Sequence, residues 1–126
     1  MRPQTLAEVA KLTAKGQSFD FCLANWLDEI GVSPTDAALK EPPELLAPTF
    51  GDLGQVQDAY LAATAEELSR KYGLLLPRWV DADERKLRRP WFSSRLAALR
   101  STLLLESPPG FRSRNLFVSL NALSRA

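Results

Sequence analysis

Thr49-Phe-Gly-Asp-Leu-Gly-Gln-Val-Gln-Asp-Ala-Tyr-Leu-Ala-Ala-Thr-Ala-Glu-Glu-Leu-Ser-Arg-Lys-Tyr72-Gly73 is the longest helical pattern in the chain. Thr49 and Asp52 stand at capping-box spacing, where a hydroxyl and a carboxylate satisfy first-turn N–H groups. Leu53, Gln57, Tyr60, Leu61, Thr64 and Leu68 then share one face at steps of three and four, the period of an amphipathic helix. Gly73 supplies the left-handed residue that stops it. The pattern predicts a helix from the capping segment to about Tyr72. Gly54 weakens its first turn, at a cost of about 1 kcal/mol against alanine.

Shorter helices lie to the N-terminal side. Thr5 and Glu8 repeat the capping spacing, and Leu6, Val9, Ala10 and Thr13 follow on one face, up to Gly16. Ser18 can cap a second helix, in which Phe19, Cys22, Leu23, Trp26 and Ile30 form a buried stripe. Phe21 and Leu27 lie beside that stripe; they widen the apolar face or face a partner. Gly31 ends this helix. Ser33-Pro34-Thr35-Asp36 starts a third, which Pro42-Pro43 must cut short. Residues 41–48, with three prolines, form a loop with one turn of helix.

Beyond Gly73, Leu74 to Val80 carries Pro77 in its middle. Proline cannot donate to a ladder, so this is an extended packing segment and not a central strand, with Trp79 as its anchor. Asp81 to Arg89 reads as a short charged helix stopped by Pro90. Ser93 or Ser94 caps another, with Leu96, Ala97, Leu99 and Leu103 on its face, ending before Pro108-Pro109-Gly110. Leu116 to Val118 is short and β-prone, and residues 121–126 suit a final helical turn. The expectation is an all-α fold: residues 1–126 as a single helical domain, an irregular bundle of five to six helices with a Pro-rich loop and a short extended C-terminal segment.

Composition narrows the function. Hydrophobic content of 45% with 25% charged residues argues against wholesale disorder. There is no histidine and a single cysteine, so the commonest general base, the commonest metal ligand and any internal disulfide are all missing. Cys22 sits on the apolar stripe, where a thiol is normally a small buried hydrophobe. No glycine loop of the nucleotide-binding types is present. No apolar run is long enough to span a bilayer, and no secretory signal is visible. These features predict a cytoplasmic binding protein, not an enzyme, with no cofactor and no membrane contact.

Charge is divided unevenly. Residues 1–60 hold four basic against nine acidic residues, a net of −5, and residues 61–126 hold twelve against six, a net of +6. Such a split suits an acidic partner for the second half, or two halves that attract each other. Arg85, Lys86, Arg88 and Arg89 precede Trp91 and Phe92, and Arg95 and Arg100 follow. Arginine alternating with aromatics suits a protein interface. It also suits nucleic acid, through phosphate contact and base stacking. The bland alternative puts Trp91 and Phe92 in the core with a solvated basic rim. Phe111-Arg112-Ser-Arg114-Asn115 is a second basic cluster, read as a binding loop; its alternative is pairing with the acidic half. Asp81, Asp83 and Glu84 could hold Mg²⁺, but they fit a helix N-terminus better. Segments 18–30 and 34–40 have helix-turn-helix spacing, yet the second carries only one basic residue.

The run Leu76-Pro-Arg-Trp79, Arg89-Pro-Trp-Phe92, Leu99 and Leu105-Glu-Ser-Pro108, Phe111-Arg-Ser-Arg-Asn115 with Phe117, and Ala122-Leu-Ser-Arg-Ala126 resembles the C-terminal segment of bacterial antitoxin-like proteins encoded beside nucleotidyltransferase-type toxins. The resemblance covers roughly the second half of the chain. It implies a toxin–antitoxin role: neutralising a cognate toxin enzyme with an acidic active site, by protein–protein contact. The front half lacks a DNA-reading helix such as some relatives carry, so promoter binding is not carried over. On this basis the partner-binding residues are expected to be Trp79, Arg85, Arg88, Arg89, Trp91, Phe92, Arg95, Phe111, Arg112, Arg114 and Asn115. The alternative is a nucleic-acid-binding regulator using Arg85 to Arg114.

Overall fold

Thr5 opens the first helix, α1 (Leu6–Ala14), as its spacing predicts: its hydroxyl accepts the Glu8 N–H at 3.1 Å. A cap of this kind contributes about 1 kcal/mol. The Glu8 carboxylate reaches back to the N–H of Gln4 at 3.2 Å. The computed structural model describes residues 2–94 and 99–124. Ser18 caps α2 (Phe19–Val32), accepting the Phe21 N–H at 3.2 Å. This helix runs one residue past Gly31. Cys22, Leu23, Trp26 and Ile30 are buried as the stripe requires; Leu27 widens that face, while Phe21 is exposed.

Short pieces follow. Helix α3 (Ala37–Lys40) and helix α4 (Ala47–Phe50) are one turn each. Asp36 does not cap α3; its carboxylate accepts the Leu75 N–H at 2.9 Å, which ties the segment after the long helix to the loop before α3. Thr49 is a correction, since it lies inside α4 and does not open the next helix. The chain instead turns through Gly51, at φ 63°, into α5 (Asp52–Tyr72). Gly73, at φ 65°, ends α5 as expected.

No residue of α5 from Val56 to Ser69 is exposed. A helix buried on all sides is a central one, and its alanines make that possible. Leu61, Ala62, Ala65 and Leu68 face a core built with α1, α2, α3, Leu46 and Val80. Ala59 and Ala63 face a second core, with Phe111, Leu116 and Val118. Gly54 serves close packing. A Cβ there would sit 2.6 Å from the Ala47 nitrogen and nearer still to the Leu46 carbonyl.

The second half wraps α5. Residues 78–81 and 83–85 are 3-10 turns, where the sequence predicts a charged helix from Asp81 to Arg89. The run beyond them bends at Lys86, Arg88 and Arg89 and enters β1 (Trp91–Phe92). Helix α6 (Arg100–Glu106) has Leu99 as its cap residue; the first turn that Ser93 or Ser94 would cap, with Leu96 and Ala97, lies outside the described residues. Helix α7 (Pro109–Arg112) follows, then β2 (Leu116–Phe117). The two strands pair in parallel, Trp91 with Leu116 and Phe92 with Phe117. From Ser119 to Ser124 the chain forms turns; the rest of the helical turn expected over 121–126 lies outside the described residues. The fold is predominantly helical, with the two short strands closing its C-terminal side.

Candidate partner-binding surface

Burial separates the sequence-predicted site residues into two sets. Arg85, Phe111 and Arg114 are interior, so in this fold they cannot present themselves to a partner. Arg88, Arg89 and Arg112 are exposed, while Trp79, Trp91, Phe92 and Asn115 are half-buried. Arg95 lies outside the described residues.

The interior arginines hold the chain together. The Arg85 guanidinium stands 3.8 Å from the Asp58 carboxylate, donates to the Pro43 carbonyl, and lies 4.9 Å above the Trp79 ring. Asp58, itself buried, accepts the Leu46 N–H at 2.7 Å and the Ala47 N–H at 3.1 Å, so an α5 side chain satisfies the start of α4. Burial pushes the Asp58 carboxyl up, against those two N–H groups and Arg85. Burial also pulls the Arg85 guanidinium down, against the nearby Asp58 and Glu84 charges. Of the ion pairs among the described residues, Arg85–Asp58 alone joins the acidic and basic halves.

Arg114 is the more fully engaged. One terminal nitrogen donates to Glu66 at 3.0 Å and to the Gly110 carbonyl at 2.7 Å, and the other donates to the Val80 carbonyl at 2.9 Å. The Gly110 N–H in turn donates to Glu67 at 2.9 Å. Asn115 takes φ 63°, and its amide donates to the Leu87 carbonyl at 2.7 Å. Asparagine tolerates that left-handed conformation better than most residues. The Phe111-Arg-Ser-Arg-Asn115 cluster is therefore a helical turn and a clasp on α5, not an extended binding loop. Phe111 fills the second core, and its ring stands edge-on to Tyr60 at 4.9 Å. Burial, and after it the Asp20 charge, pushes the Tyr60 phenol up to about 12.

What remains outside is a basic edge. Lys86, Arg88 and Arg89 are exposed on the bent run into β1, and none takes part in an ion pair among the described residues. Phe92 stacks on Phe117 at 5.1 Å, and the Arg100 guanidinium lies 5.3 Å over the Phe92 ring. Trp79 turns inward, donating its indole N–H to the Leu39 carbonyl at 2.8 Å. Guanidinium groups flanking aromatic rings can take carboxylates or phosphates by paired, charge-assisted hydrogen bonds.

The other constellations come out differently. Asp81, Asp83 and Glu84 are exposed and make no side-chain cap to either 3-10 turn. Among the described residues, no group of three acidic, histidine or cysteine side chains is placed to hold a metal ion. Cys22 is buried, and burial pushes its thiol up, which keeps it protonated. Helix α3 buries Ala38 and Leu39 and exposes Ala37 and Lys40, so a single turn with one basic residue faces outward. A groove of about 380 Å³ opens between the C-terminal ends of α2 and α5, lined by Leu27, Ile30, Leu68, Tyr72 and Leu123 with Asp28 and Lys71. No described helix is long and apolar enough to cross a membrane. The chain matches no protein-family model, no curated protein and no solved structure.

Proposed function

We propose that this chain is an antitoxin-type binding protein that neutralises a nucleotidyltransferase-type toxin through the basic edge of its second half. The observation that carries the reading is the set Lys86, Arg88 and Arg89, exposed and in no ion pair among the described residues, beside the half-buried Trp91 and Phe92. Arg112 adds a further exposed charge. The resemblance of the C-terminal motifs to antitoxin-like proteins supports the choice of partner. An enzyme that transfers nucleotides gathers carboxylates around metal and phosphate, and a guanidinium fork fits such carboxylates in pairs. Complementary charge also speeds encounter. On this reading the protein acts in the bacterial cytoplasm, without a cofactor and without chemistry of its own.

Co-expression with the product of the neighbouring gene tests it. A stable complex is expected, and the double change Arg88→Glu with Arg89→Glu should weaken it by roughly a hundredfold, about tenfold for each charge-assisted hydrogen-bonding site removed. A chain that stays alone in that experiment overturns the reading. Arg100 over Phe92 also favours a second reading, single-stranded nucleic acid stacked on the ring. In that case a labelled oligonucleotide should bind at low salt and dissociate steeply as salt rises.

A further inference from the structure

Helix α6 buries one of its residues, Leu103, and turns two leucines outward: Leu104 is 45% exposed and Leu105 83%. Single exposed leucines are ordinary on a protein surface. These two are not isolated. Arg100 and Leu104 are one turn apart and share a face. Arg100 in turn covers the Phe92 ring, and Phe92 rests on Phe117. Three residues before Phe92 stands Arg89, the end of the basic edge. Leu104, Arg100 and the Phe92–Phe117 stack thus adjoin one another, with Leu105 further round the helix as the apolar end and with Arg88 and Arg89 as the basic end, on the run that enters the strand of Phe92. Glu106, half-buried, is the sole carboxylate on α6.

We propose that these residues form one docking surface, and that its occupant is an acidic amphipathic helix of a protein partner. The partner's apolar stripe would lie along α6, and its flanking carboxylates would meet Arg88, Arg89 and Arg100. The inference rests on the reading of the basic edge as a protein-binding surface and adds an apolar contact at one end of it. Apolar and charged contacts divide labour at an interface: the desolvated apolar part sets how long the complex lasts, and the exposed charges set how fast it forms. Helix α6 spans about 10 Å at 1.5 Å per residue, so it offers room for roughly two turns of a partner helix.

The probe is a labelled synthetic helix with a leucine stripe flanked by glutamates, measured by fluorescence anisotropy against the full chain. A scrambled peptide of the same composition and a polyglutamate are the comparisons. The patterned peptide should bind at least about tenfold more tightly than the scrambled one. Leu104→Ser with Leu105→Ser should erase that preference and leave polyglutamate binding unchanged. Arg88→Glu with Arg89→Glu should weaken both peptides, and the loss should shrink at high salt. Circular dichroism of each variant checks that it folds. If the scrambled peptide binds as well as the patterned one, or the serine variant keeps the preference, the apolar contact is refuted while the basic edge stands. If neither acidic peptide binds the wild-type chain, both readings fall together. A single-stranded oligonucleotide that outcompetes the patterned peptide also overturns the proposal.

Discussion

Replacing Arg114 with alanine removes one guanidinium from three partners at once: Glu66, the Gly110 carbonyl and the Val80 carbonyl. Arg114 is almost wholly buried, and Glu66 is about one-fifth exposed in its side chain. Breaking a buried pair from one side costs about 3–5 kcal/mol, because the charge left behind is uncompensated. Glu66 keeps Arg70 at 3.2 Å, which moderates that term. Two carbonyls lose a donor, each worth about 1 kcal/mol or more, and the vacated volume adds a packing loss. The sum points to at least about 4 kcal/mol, a large part of the roughly 5–15 kcal/mol that holds a domain of this kind together. Urea denaturation followed by helical circular dichroism measures it. Arg112→Ala, two residues away and exposed, is the control and should stay within about 0.5 kcal/mol of wild type. Arg114→Lys keeps the charge but loses the fork, so it should fall between the two. If Arg114→Ala costs no more than Arg112→Ala, the clasp on α5 is not holding the second half, and the reassignment of Arg114 from partner surface to interior is wrong.

Three further outcomes follow from the packing. Gly54→Ala should destabilise by at least about 2 kcal/mol in thermal melts, because backbone strain from the Leu46 and Ala47 contacts exceeds the roughly 1 kcal/mol gain in helix propensity; a stabilised variant would disprove the close approach. Asp58→Ala should cost about 3–5 kcal/mol, since it uncaps α4 and strands the buried Arg85 charge, and a double-mutant cycle with Arg85→Met should show strong coupling between the two positions. Tyr60 should ionise at about 12 in a spectrophotometric titration. Its folded value lies above the ordinary one near 10, so the folded state holds the phenolic proton more tightly. Stability is then full below about pH 10 and falls by about 2–3 kcal/mol as pH rises to about 12. Tyr60→Phe should flatten that limb, and an unchanged pH profile would remove Tyr60 as its source.

Local rules were enough for several helix ends and for the stripe of α2. Thr5, Ser18 and Gly73 declare helix ends through groups that act within four residues, and the Cys22–Ile30 stripe follows from spacing alone. Longer-range features were harder to read. Ala59, Ala62, Ala63 and Ala65 look neutral in a periodicity plot, yet their small size lets α5 be surrounded on every side. Thr49 has a capping spacing that the Gly51 turn and the Asp58 carboxylate override. For the candidate site, Arg88 and Arg89 look the same in sequence as Arg85 and Arg114. What separates them is whether a carboxylate and free carbonyls from distant segments converge on the guanidinium, and spacing carries no trace of that. One signal was available for Arg114: it follows a proline–glycine turn and precedes an asparagine suited to a left-handed bend, a pattern that marks a tight structural corner more than a mobile loop.

The burial of α5 from both sides has a consequence for how the protein is made. Synthesis runs from the N-terminus, so α5 leaves the ribosome well before Phe111, Leu116 and Val118 exist. Until those residues arrive, the Ala59 and Ala63 side of α5 faces water, and Glu66 and Glu67 wait for Arg114 and Gly110. The parallel pairing of Trp91 with Leu116 likewise needs both ends of a long excursion, and pairings so far apart in the chain form slowly. The nascent chain therefore passes through an interval when its longest helix is half-covered and open to chaperones and proteases. The core is closed only when residues 110–118 pack over it, and the same stretch supplies the strand that pairs with Trp91 and Phe92.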